Sequence, residues 1–395
     1  LFNLLKNKAI LTKNNVLFLK SKIKTGAIPK FLKYYYQERI KNKAKLKKAK
    51  RSLSEALENK AEQAKKIELE YAVKRFKTID TAFKSFLNSV YGMFGTNFSP
   101  ISDVDCAEAI TLTDQFIIKS VIQYIDNKFK ENFKQERTCI GGDTDSIFFD
   151  VSPIVNSILE KNNSKLENIK RHDIVEITKW ADDFVLNELN PFCKKITEDE
   201  LFSDNPGCIE FKREAFAIQG AFFDKKHYFL RILDEDGIAC DKFKYVGIEV
   251  KKNEFPPRIK HLLQDIYEKT CKQSWTENDY ISYLEKIWND FKNLSFDDLA
   301  IYRGYNTEKN SVMFLKMEKA ASIGSRAATY FNQLLEKLNL NEKYEQIFVG
   351  DKIRICYIKP ENVFGINVIG FKFEFQKNSR NYLFQIMKRC LRRQF

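Results

Sequence analysis

The chain has 395 residues, 44% of them hydrophobic and 14% aromatic, so it is long enough for more than one domain and too apolar to be disordered. Its 67 Lys and Arg exceed its 53 Asp and Glu by 14, a surplus that suits a polyanionic partner or simply a lysine-rich surface. Eight scattered cysteines, three histidines and no apolar run of about 20 residues argue against zinc, redox and membrane-spanning classes, so we expect a cytoplasmic protein.

A helical hairpin is predicted near the start of the chain, after short strand patterns at 10–25. Gly26 and Pro29 mark the beginning of a helix whose basic residues form two stripes. The first stripe holds Arg39, Lys43, Lys47 and Lys50, and the second holds Lys41, Lys45 and Lys48. Such a helix cannot bury itself in an apolar core, so it projects into solvent or binds an anion. A capping-box pattern, Ser52 with Glu55, predicts that a second helix begins there and packs back on the first.

The next predicted helix, from about 80 to 91, has two distinct faces. Its core face holds Phe83, Phe86, Leu87 and Val90, and its polar stripe holds Lys84, Asn88 and Tyr91. Gly92 and Gly95 predict the end of this helix. A further helix is predicted over 101–130.

A β-hairpin is predicted at 138–151, with Asp143 and Asp145 between its strands. Further on, 170–190 reads as helix, and 208–216, 227–233 and 244–250 read as strands. We expect a domain boundary at the Pro256–Pro257 pair, with helices through about 342 and a strand-like segment at 347–358.

Each candidate site has two readings. Asp143 and Asp145, two residues apart, suit Mg²⁺, which takes carboxylate oxygens and keeps water and phosphate, or they simply form a turn. Lys84 suits a phosphate and Tyr91 the wall of a sugar pocket, or their stripe is a solvated helix face. The paired cations Arg39 and Lys43 bind phosphate or belong to a solvated charge run.

A second candidate contact surface lies at Lys226 and Tyr228. Lys226 and Tyr228 are two residues apart, so we expect them on the same side of a strand, where a cation and a phenol can touch a duplex. The alternative is an exposed strand edge protected by lysines.

The order of these motifs resembles family B DNA polymerases. KSFLNSVYG at 84–92 looks like the K-x-x-x-N-S-x-Y-G fingers motif of that family, and GDTDS at 142–146 looks like its palm metal motif. The segment at 26–43 is similar to its first fingers helix, and DKKHY at 224–228 to its K-K-R-Y element. Further strings at 106–115, 212–217, 247–256, 325–332 and 350–358 resemble the replicative polymerases of T-even-type bacteriophages. If the protein is viral, the resemblance implies the cytoplasm of a host cell.

The resemblance implies an α+β, right-hand architecture. It assigns 1–25 to a palm segment leading into the fingers, 26–95 to helical-hairpin fingers, 96–255 to an antiparallel-sheet palm and 256–395 to a mainly helical thumb. The family's N-terminal and exonuclease domains have no counterpart in the sequence.

The implied activity is template-directed addition of deoxynucleotides to a primer 3′ end, with two Mg²⁺ ions. Asp145 and Asp143 would be catalytic metal ligands, with Glu214 as a weaker one. The incoming triphosphate would meet Arg39, Lys43, Lys84, Asn88 and Tyr91. Primer–template DNA would meet Lys226, Tyr228 and Arg326. An N-terminal polymerase chain and a sliding clamp are further partners that the resemblance suggests, and no membrane is implied.

Four positions depart from the family pattern: Gly141 stands in place of Tyr, His227 of Arg, Lys212 of an acid and Asp114 of a glycine. In addition, nothing in 1–25 matches the D-x-x-S-L-Y-P-like strand that carries the family's second essential carboxylate. We therefore expect this polypeptide to be nearly inactive in primer extension by itself.

Two alternatives stay open. One is a non-enzymatic nucleic-acid-binding remnant that uses the basic hairpin without metal. The other is part of a protein-primed family B polymerase, although 93–137 is short and regular where such a polymerase carries an insertion.

Overall fold

A computed structural model describes residues 3, 7–59, 62–272, 275–291, 294, 296–306, 322–358 and 367–372. The chain divides into two compact units. The first comprises Leu1–Ile218 with Ile232–Lys242, and the second comprises Gln219–Arg231 with Phe243–Phe395. Helices and sheets occur in both, as expected for an α+β protein, whereas the palm, fingers and thumb assignments stay predictions.

A small antiparallel hairpin, β1 (Ala9–Leu11) and β2 (Leu17–Leu19), begins the first unit. The backbone N–H of Leu11 donates to Leu201 O at 3.1 Å. Asp204 accepts from the hydroxyl of Ser21 at 2.8 Å. These bonds anchor the hairpin on a segment nearly 200 residues further along the chain.

Two 32-residue helices follow, α1 (Ala27–Glu58) and α2 (Gln63–Phe94). The predicted break at Ser52 is wrong, because α1 continues to Glu58 and α2 starts only at Gln63. No Gly or Pro interrupts the chain there, and Ala49 and Ala56, seven residues apart, are both buried on one face of α1. Gly92 lies inside α2, and Gly95 forms its C-cap.

Helix α3 (Val104–Phe133) confirms the helix predicted over 101–130 and forms the centre of one core. Its N-terminus is capped by Asp103, whose side chain accepts from Cys106 N at 2.9 Å. Four of its side chains recur at helical spacing and are almost fully buried: Ile117, Val121, Ile125 and Phe129.

The predicted β-hairpin is confirmed as β3 (Cys139–Asp143) paired antiparallel with β4 (Ser146–Phe149). Buried Cys139 belongs to the α3 core together with Cys193. Burial raises the pKa of Cys139 to about 12 and that of Cys193 to about 11, so both thiols stay protonated at neutral pH.

Three helices follow β4 along the chain: α4 (Ser152–Lys161), α5 (Arg171–Phe184) and α6 (Asn190–Asp199). A π-helical turn, Val185–Leu189, joins the last two. In it, the N–H of Asn190 donates to Val185 O, five residues back. Pro191, which follows, has no N–H to continue α-helical bonding.

A three-stranded sheet has the order β5–β6–β7, with β5 at Ala215–Asp224, β6 at His227–Glu235 and β7 at Ile238–Val246. The strands predicted at 208–216 and 244–250 were misplaced. Gly207 and Cys208 belong to a 3₁₀ turn, Pro206–Cys208, and a second 3₁₀ turn occupies Glu249–Lys251.

In the second unit, α7 (Pro257–Lys272) begins at the second proline of the predicted boundary. It is followed by α8 (Glu277–Phe291), α9 (Phe296–Leu299), strand β8 (Ile301–Gly304) and α10 (Ile323–Lys337). Strands β9 (Lys352–Tyr357) and β10 (Val368–Lys372) complete an antiparallel sheet of order β10–β9–β8. The predicted strand at 347–358 is therefore confirmed as β9, and β8 interrupts the helices that were expected through 342.

The sheet β10–β9–β8 packs against α10. Phe331 and Leu335, one turn apart on α10, are fully buried with Ile353 and Ile355 of β9. Within the described residues, no helix is long and apolar enough to cross a membrane.

A partly buried ion cluster in the first unit centres on Arg213. Its guanidinium donates to both carboxylate oxygens of Asp182, at 2.9 and 3.1 Å, and to Asp234. The Arg213 and Asp234 side chains are each only 9% exposed. Asp234 also accepts from Gly237 N at 3.0 Å, so the cluster supports the turn between β6 and β7.

We predict that Arg213→Ala lowers the free energy of unfolding by about 3–5 kcal/mol, because it leaves the Asp234 carboxylate buried without its cation. Urea denaturation would measure the loss. Lys161→Ala is the control, because it removes an exposed ion pair with Glu176 and should cost about 1 kcal/mol or less. Equal losses in the two variants would contradict the assignment.

Candidate active site

The seam between α1 and α2 decides which way their polar residues face. Asn42, 7% exposed, donates its side-chain amide to Phe76 O at 2.9 Å, so position 42 faces α2. Residues on a helix are about 100° apart, so Lys41 and Lys43 point to opposite faces of the hairpin. The rings of Tyr35 and Phe86, 4.9 Å apart, continue the same seam.

One of these faces is marked by an ion pair between Arg39 and Asp80. The two atoms, Nε and Oδ1, are 3.0 Å apart, and the side chains are 19% and 18% exposed. Lys43 follows Arg39 by one turn on α1, while Lys77 and Lys84 flank Asp80 by about one turn on α2. We call this surface the Arg39 face; its residues are Arg39, Lys43, Lys77, Asp80, Lys84, Asn88 and Tyr91.

The Arg39 face therefore collects every residue that the sequence proposed for triphosphate binding. Lys43, Lys84 and Asn88 are exposed, and Tyr91 is 42% exposed. Two members were missed, Lys77 and Asp80. Lys77 and Asp80 precede Lys84 by seven and four residues, a helical spacing from which their place on the same face could have been predicted.

The acidic hairpin places its two carboxylates differently. Asp143, at the end of β3, is half-buried, whereas Asp145, in the turn, is exposed. Thr144 between them has a positive φ of 58°, and the N–H of Asp145 donates to Asp143 O at 2.7 Å. The Ser146 hydroxyl donates to the same carbonyl at 3.2 Å, which closes the turn.

Helix α3 supports this hairpin from one side. A Cβ on Gly142 would lie 3.9 Å from both Ile118 and Ile122 and 3.1 Å from Ser146 O, so the strand runs close to the helix. Asp114, one turn before Ile118, belongs to the same stripe of α3.

Asp114 is thus a further carboxylate near the turn. Burial raises the pKa of Asp114, and the negative charge of Asp145 raises it further. The sequence had flagged Asp114 only as a departure from the family pattern.

The donor chemistry of the hairpin suits Mg²⁺, which proteins often bind through one or two carboxylates while water and phosphate fill the other positions. Within the described residues, however, no group of three or more His, Cys, Asp or Glu could hold a metal ion. A pair of ions would therefore need carboxylates beyond Asp143 and Asp145. Glu214 is exposed, and the one contact we assign to it is its backbone carbonyl, which accepts from Asp236 N at 2.8 Å.

The proposed DNA contacts of the second unit do not share a strand face. Lys226 is exposed and lies in the turn before β6 with a positive φ of 61°. Tyr228 is on β6 but only 5% exposed, with its ring 5.2 Å from that of Phe222. The expectation that Lys226 and Tyr228 point to the same side of a strand was therefore wrong.

Arg326 lies on α10, where it is half-buried, and its Nε is buried without a hydrogen-bond partner. Buried polar atoms usually have a hydrogen-bond partner, and the described residues supply none for this Nε.

We predict that Asp114→Asn stabilises the protein at pH 7. The pKa of Asp114 is raised in the folded state, so the folded state disfavours the ionised carboxylate. The ionised carboxylate therefore destabilises the protein above the raised pKa, and this effect disappears as the pH falls and the carboxyl is protonated. The gain should be up to about 1 kcal/mol at pH 7 and vanish near pH 3, measured by urea denaturation without divalent ions.

Asp105→Asn is the control for that measurement. Asp105 lies in the first turn of α3, where a carboxylate interacts favourably with the helix dipole, so its loss should destabilise slightly. A loss of stability in Asp114→Asn at pH 7 would contradict the electrostatic account.

Comparisons with known proteins identify similar solved structures and a matching family model. A search of curated proteins found no match. Among solved structures, the chain is similar to the family B DNA polymerase from the hyperthermophilic archaeon Pyrobaculum calidifontis, with 17% identity and a TM-score of 0.49. That alignment covers 97% of this chain and 39% of the archaeal chain, so this chain spans about two fifths of its length.

A family model gives the more direct finding. Residues 74–168 match DNA polymerase family B. This segment holds the stripe from Lys84 to Tyr91 and the hairpin with Asp143 and Asp145. The match supports a family B polymerase portion within the chain, while the finer likeness to T-even-type bacteriophage enzymes stays a prediction.

Proposed function

We propose that the chain is the polymerase portion of a family B, DNA-directed DNA polymerase that adds deoxynucleotides to primer 3′ ends. The observation that carries this proposal is the family match over residues 74–168, because it includes both the polar stripe from Lys84 to Tyr91 and the hairpin with Asp143 and Asp145. Primer–template DNA and deoxynucleoside triphosphates are the proposed substrates. A clamp and an N-terminal polymerase chain stay predictions.

In this proposal, the Arg39 face binds the incoming triphosphate. Lys43, Lys77 and Lys84 are cations on two adjacent helices, a spacing that suits an extended polyphosphate. Arg39 is the one donor with a fork for two phosphate oxygens, and Asp80 now occupies its Nε. Triphosphate binding would therefore exchange one acceptor of Arg39 for another.

Tyr91 and Asn88 would form the sugar end of that site. Asn88 follows Lys84 by four residues and Tyr91 follows it by seven, on the same stripe, so a triphosphate held at Lys84 would direct its sugar toward them. The flat ring of Tyr91 would exclude a ribose 2′-hydroxyl by contact.

The acidic hairpin would hold the metal. Asp143 and Asp145 present carboxylates from a closed turn that α3 supports, which limits how far they can move apart. When bound, Mg²⁺ would neutralise phosphate charge and favour the ionised 3′-hydroxyl. Of the two ions in the proposed mechanism, the second would require a carboxylate beyond this pair, for which Glu214 stays a weak candidate.

The second unit would contact DNA through cations. Lys226 is exposed in its turn and suits a backbone phosphate, and the half-buried Arg326 would offer the exposed part of its guanidinium. Tyr228, being buried, would support the strand from beneath and would not touch the duplex through its ring.

We predict that Lys84→Ala weakens binding of a deoxynucleoside triphosphate by about tenfold to a hundredfold, because it removes a charged hydrogen-bond donor. The binding is measured on the full chain by isothermal titration calorimetry. Lys74→Ala is the matched control, because Lys74 is an exposed lysine of the same helix outside the Arg39 face. Equal weakening in both variants would contradict the proposed site.

The same titration tests the metal and separates catalysis from simple nucleic-acid binding. Mg²⁺ should tighten triphosphate binding in the native chain, and Asp145→Asn should remove most of that gain. A non-enzymatic, charge-based binder would show salt-dependent affinity, no Mg²⁺ requirement and no effect of Asp145→Asn. That result would favour the binding-remnant alternative.

We predict that Tyr91→Ala reduces discrimination between deoxyribonucleoside and ribonucleoside triphosphates by about tenfold, because the wall against the 2′-hydroxyl is lost. The ratio of the two dissociation constants measures it. Tyr71→Ala, which removes a 70% exposed ring of α2 outside the Arg39 face, should leave the ratio unchanged.

A further inference from the structure

The face of the helical hairpin opposite the Arg39 face is also basic, and it carries exposed aromatic rings. Lys41 points about 100° away from Asn42 on that side, and Lys45 and Lys48 follow it at helical spacing. Tyr34 precedes Lys41 by two turns and belongs to the same stripe. The Glu38 carboxylate, which accepts a hydrogen bond from Lys41, raises the pKa of Lys41, and Tyr34 raises it slightly further.

Helix α2 adds to this surface. Phe76 faces α1, so Arg75 and Lys77 lie on opposite sides of the seam, and Lys77 belongs to the Arg39 face. Arg75 therefore joins the lysines of α1. We call this surface the Tyr34 face; its residues are Lys30, Tyr34, Lys41, Lys45, Lys48, Arg75 and Phe86.

The rings of this face are available to a partner. Tyr34 is 59% exposed and Phe86 is 38% exposed. Phe31 packs beside them, with its ring 5.6 Å from that of Phe86, and is itself 43% exposed. A folded protein usually buries such rings, so a group of them at one end of a charged helix pair is a candidate contact surface.

The charge of the face selects the partner. Its five cations are all exposed, and they outnumber the three carboxylates at matching helical positions, Glu38, Glu55 and Glu68. Glu38 already pairs with Lys41 at 2.6 Å, with the Lys41 side chain 68% exposed, so the pair can open to a phosphate at little cost.

We infer that the Tyr34 face binds single-stranded nucleic acid. Bases stack on Tyr34 and Phe86, and the backbone follows Lys41, Lys45 and Lys48. From Tyr34 to Lys48 the helix rises roughly 21 Å, at 1.5 Å per residue, which is room for several nucleotides. Aromatic rings at one end and a row of cations beyond them are the two components of sequence-tolerant single-strand binding. Duplex DNA lacks exposed base faces and would not use the rings.

This inference does not rest on the polymerase proposal. A strand would be held by charge and stacking on the Tyr34 face whether or not the opposite face binds a triphosphate. If both hold, the hairpin binds the nucleotide on one face and a single strand on the other.

The test is fluorescence anisotropy of labelled oligothymidylate with the full chain over a series of salt concentrations. Tyr34→Ala should weaken binding by about tenfold, and Tyr34→Phe, which keeps the ring, should bind like the native chain. The triple variant Lys41→Gln, Lys45→Gln, Lys48→Gln should weaken binding and reduce the slope of log K against log salt by about 2. None of these variants should alter triphosphate binding.

A matched triple variant controls for net charge. Lys179→Gln, Lys194→Gln, Lys195→Gln removes three exposed lysines of α5 and α6 and should bind oligothymidylate like the native chain. Equal weakening in the two triple variants would overturn the inference, because it would reduce the effect to overall charge. Native binding by Tyr34→Ala, or equally tight binding of a duplex of the same length, would also overturn it.

Discussion

The narrow contact between α1 and α2 is the constraint on which both charged surfaces depend. Each helix has 32 residues, yet few of their side chains are buried, among them Asn42, Ala49, Ala56 and Val90. Because so little of each helix faces its partner, nearly every other residue lies on one of two faces or on an outer edge. A single inward amide, from Asn42 to Phe76 O, is enough to assign neighbouring lysines to opposite sides.

A second support, independent of the first, is the packing of the acidic hairpin on α3. The strand at Gly142 runs so close to α3 that a Cβ there would lie in ordinary van der Waals contact with Ile118 and Ile122. Asp114 lies on the same stripe of α3. Burial raises the pKa of Asp114, and the negative charge of Asp145 raises it further, so the folded state disfavours the ionised form of this carboxyl.

Local patterns predicted much of this. Short stretches of sequence were enough to predict the helix over 104–133, the β3–β4 hairpin and the Lys84–Asn88–Tyr91 stripe. The periodicity and turn residues that specify each of them lie within about ten positions of one another. The rest required long-range information. The pairing of Arg39 with Asp80 joins residues 41 apart, and nothing near Tyr228 indicates that its ring is buried. Ser52 and Glu55 have the pattern of a helix start, but packing of Ala49 and Ala56 kept the chain helical.

The π-helical turn at Val185–Leu189 has a consequence for how this region tolerates change. Ile177, before the turn, belongs to a core with Leu159 and Phe216. Trp180 and Phe184 before the turn, Leu189 within it and Cys193 after it pack in the core around α3. The extra residue in the turn rotates the helix downstream of it by about 100°. Deleting a single residue there would restore regular helical spacing and yet turn Leu189 and Cys193 away from their partners. In this segment, chain length therefore decides which side chains reach the core.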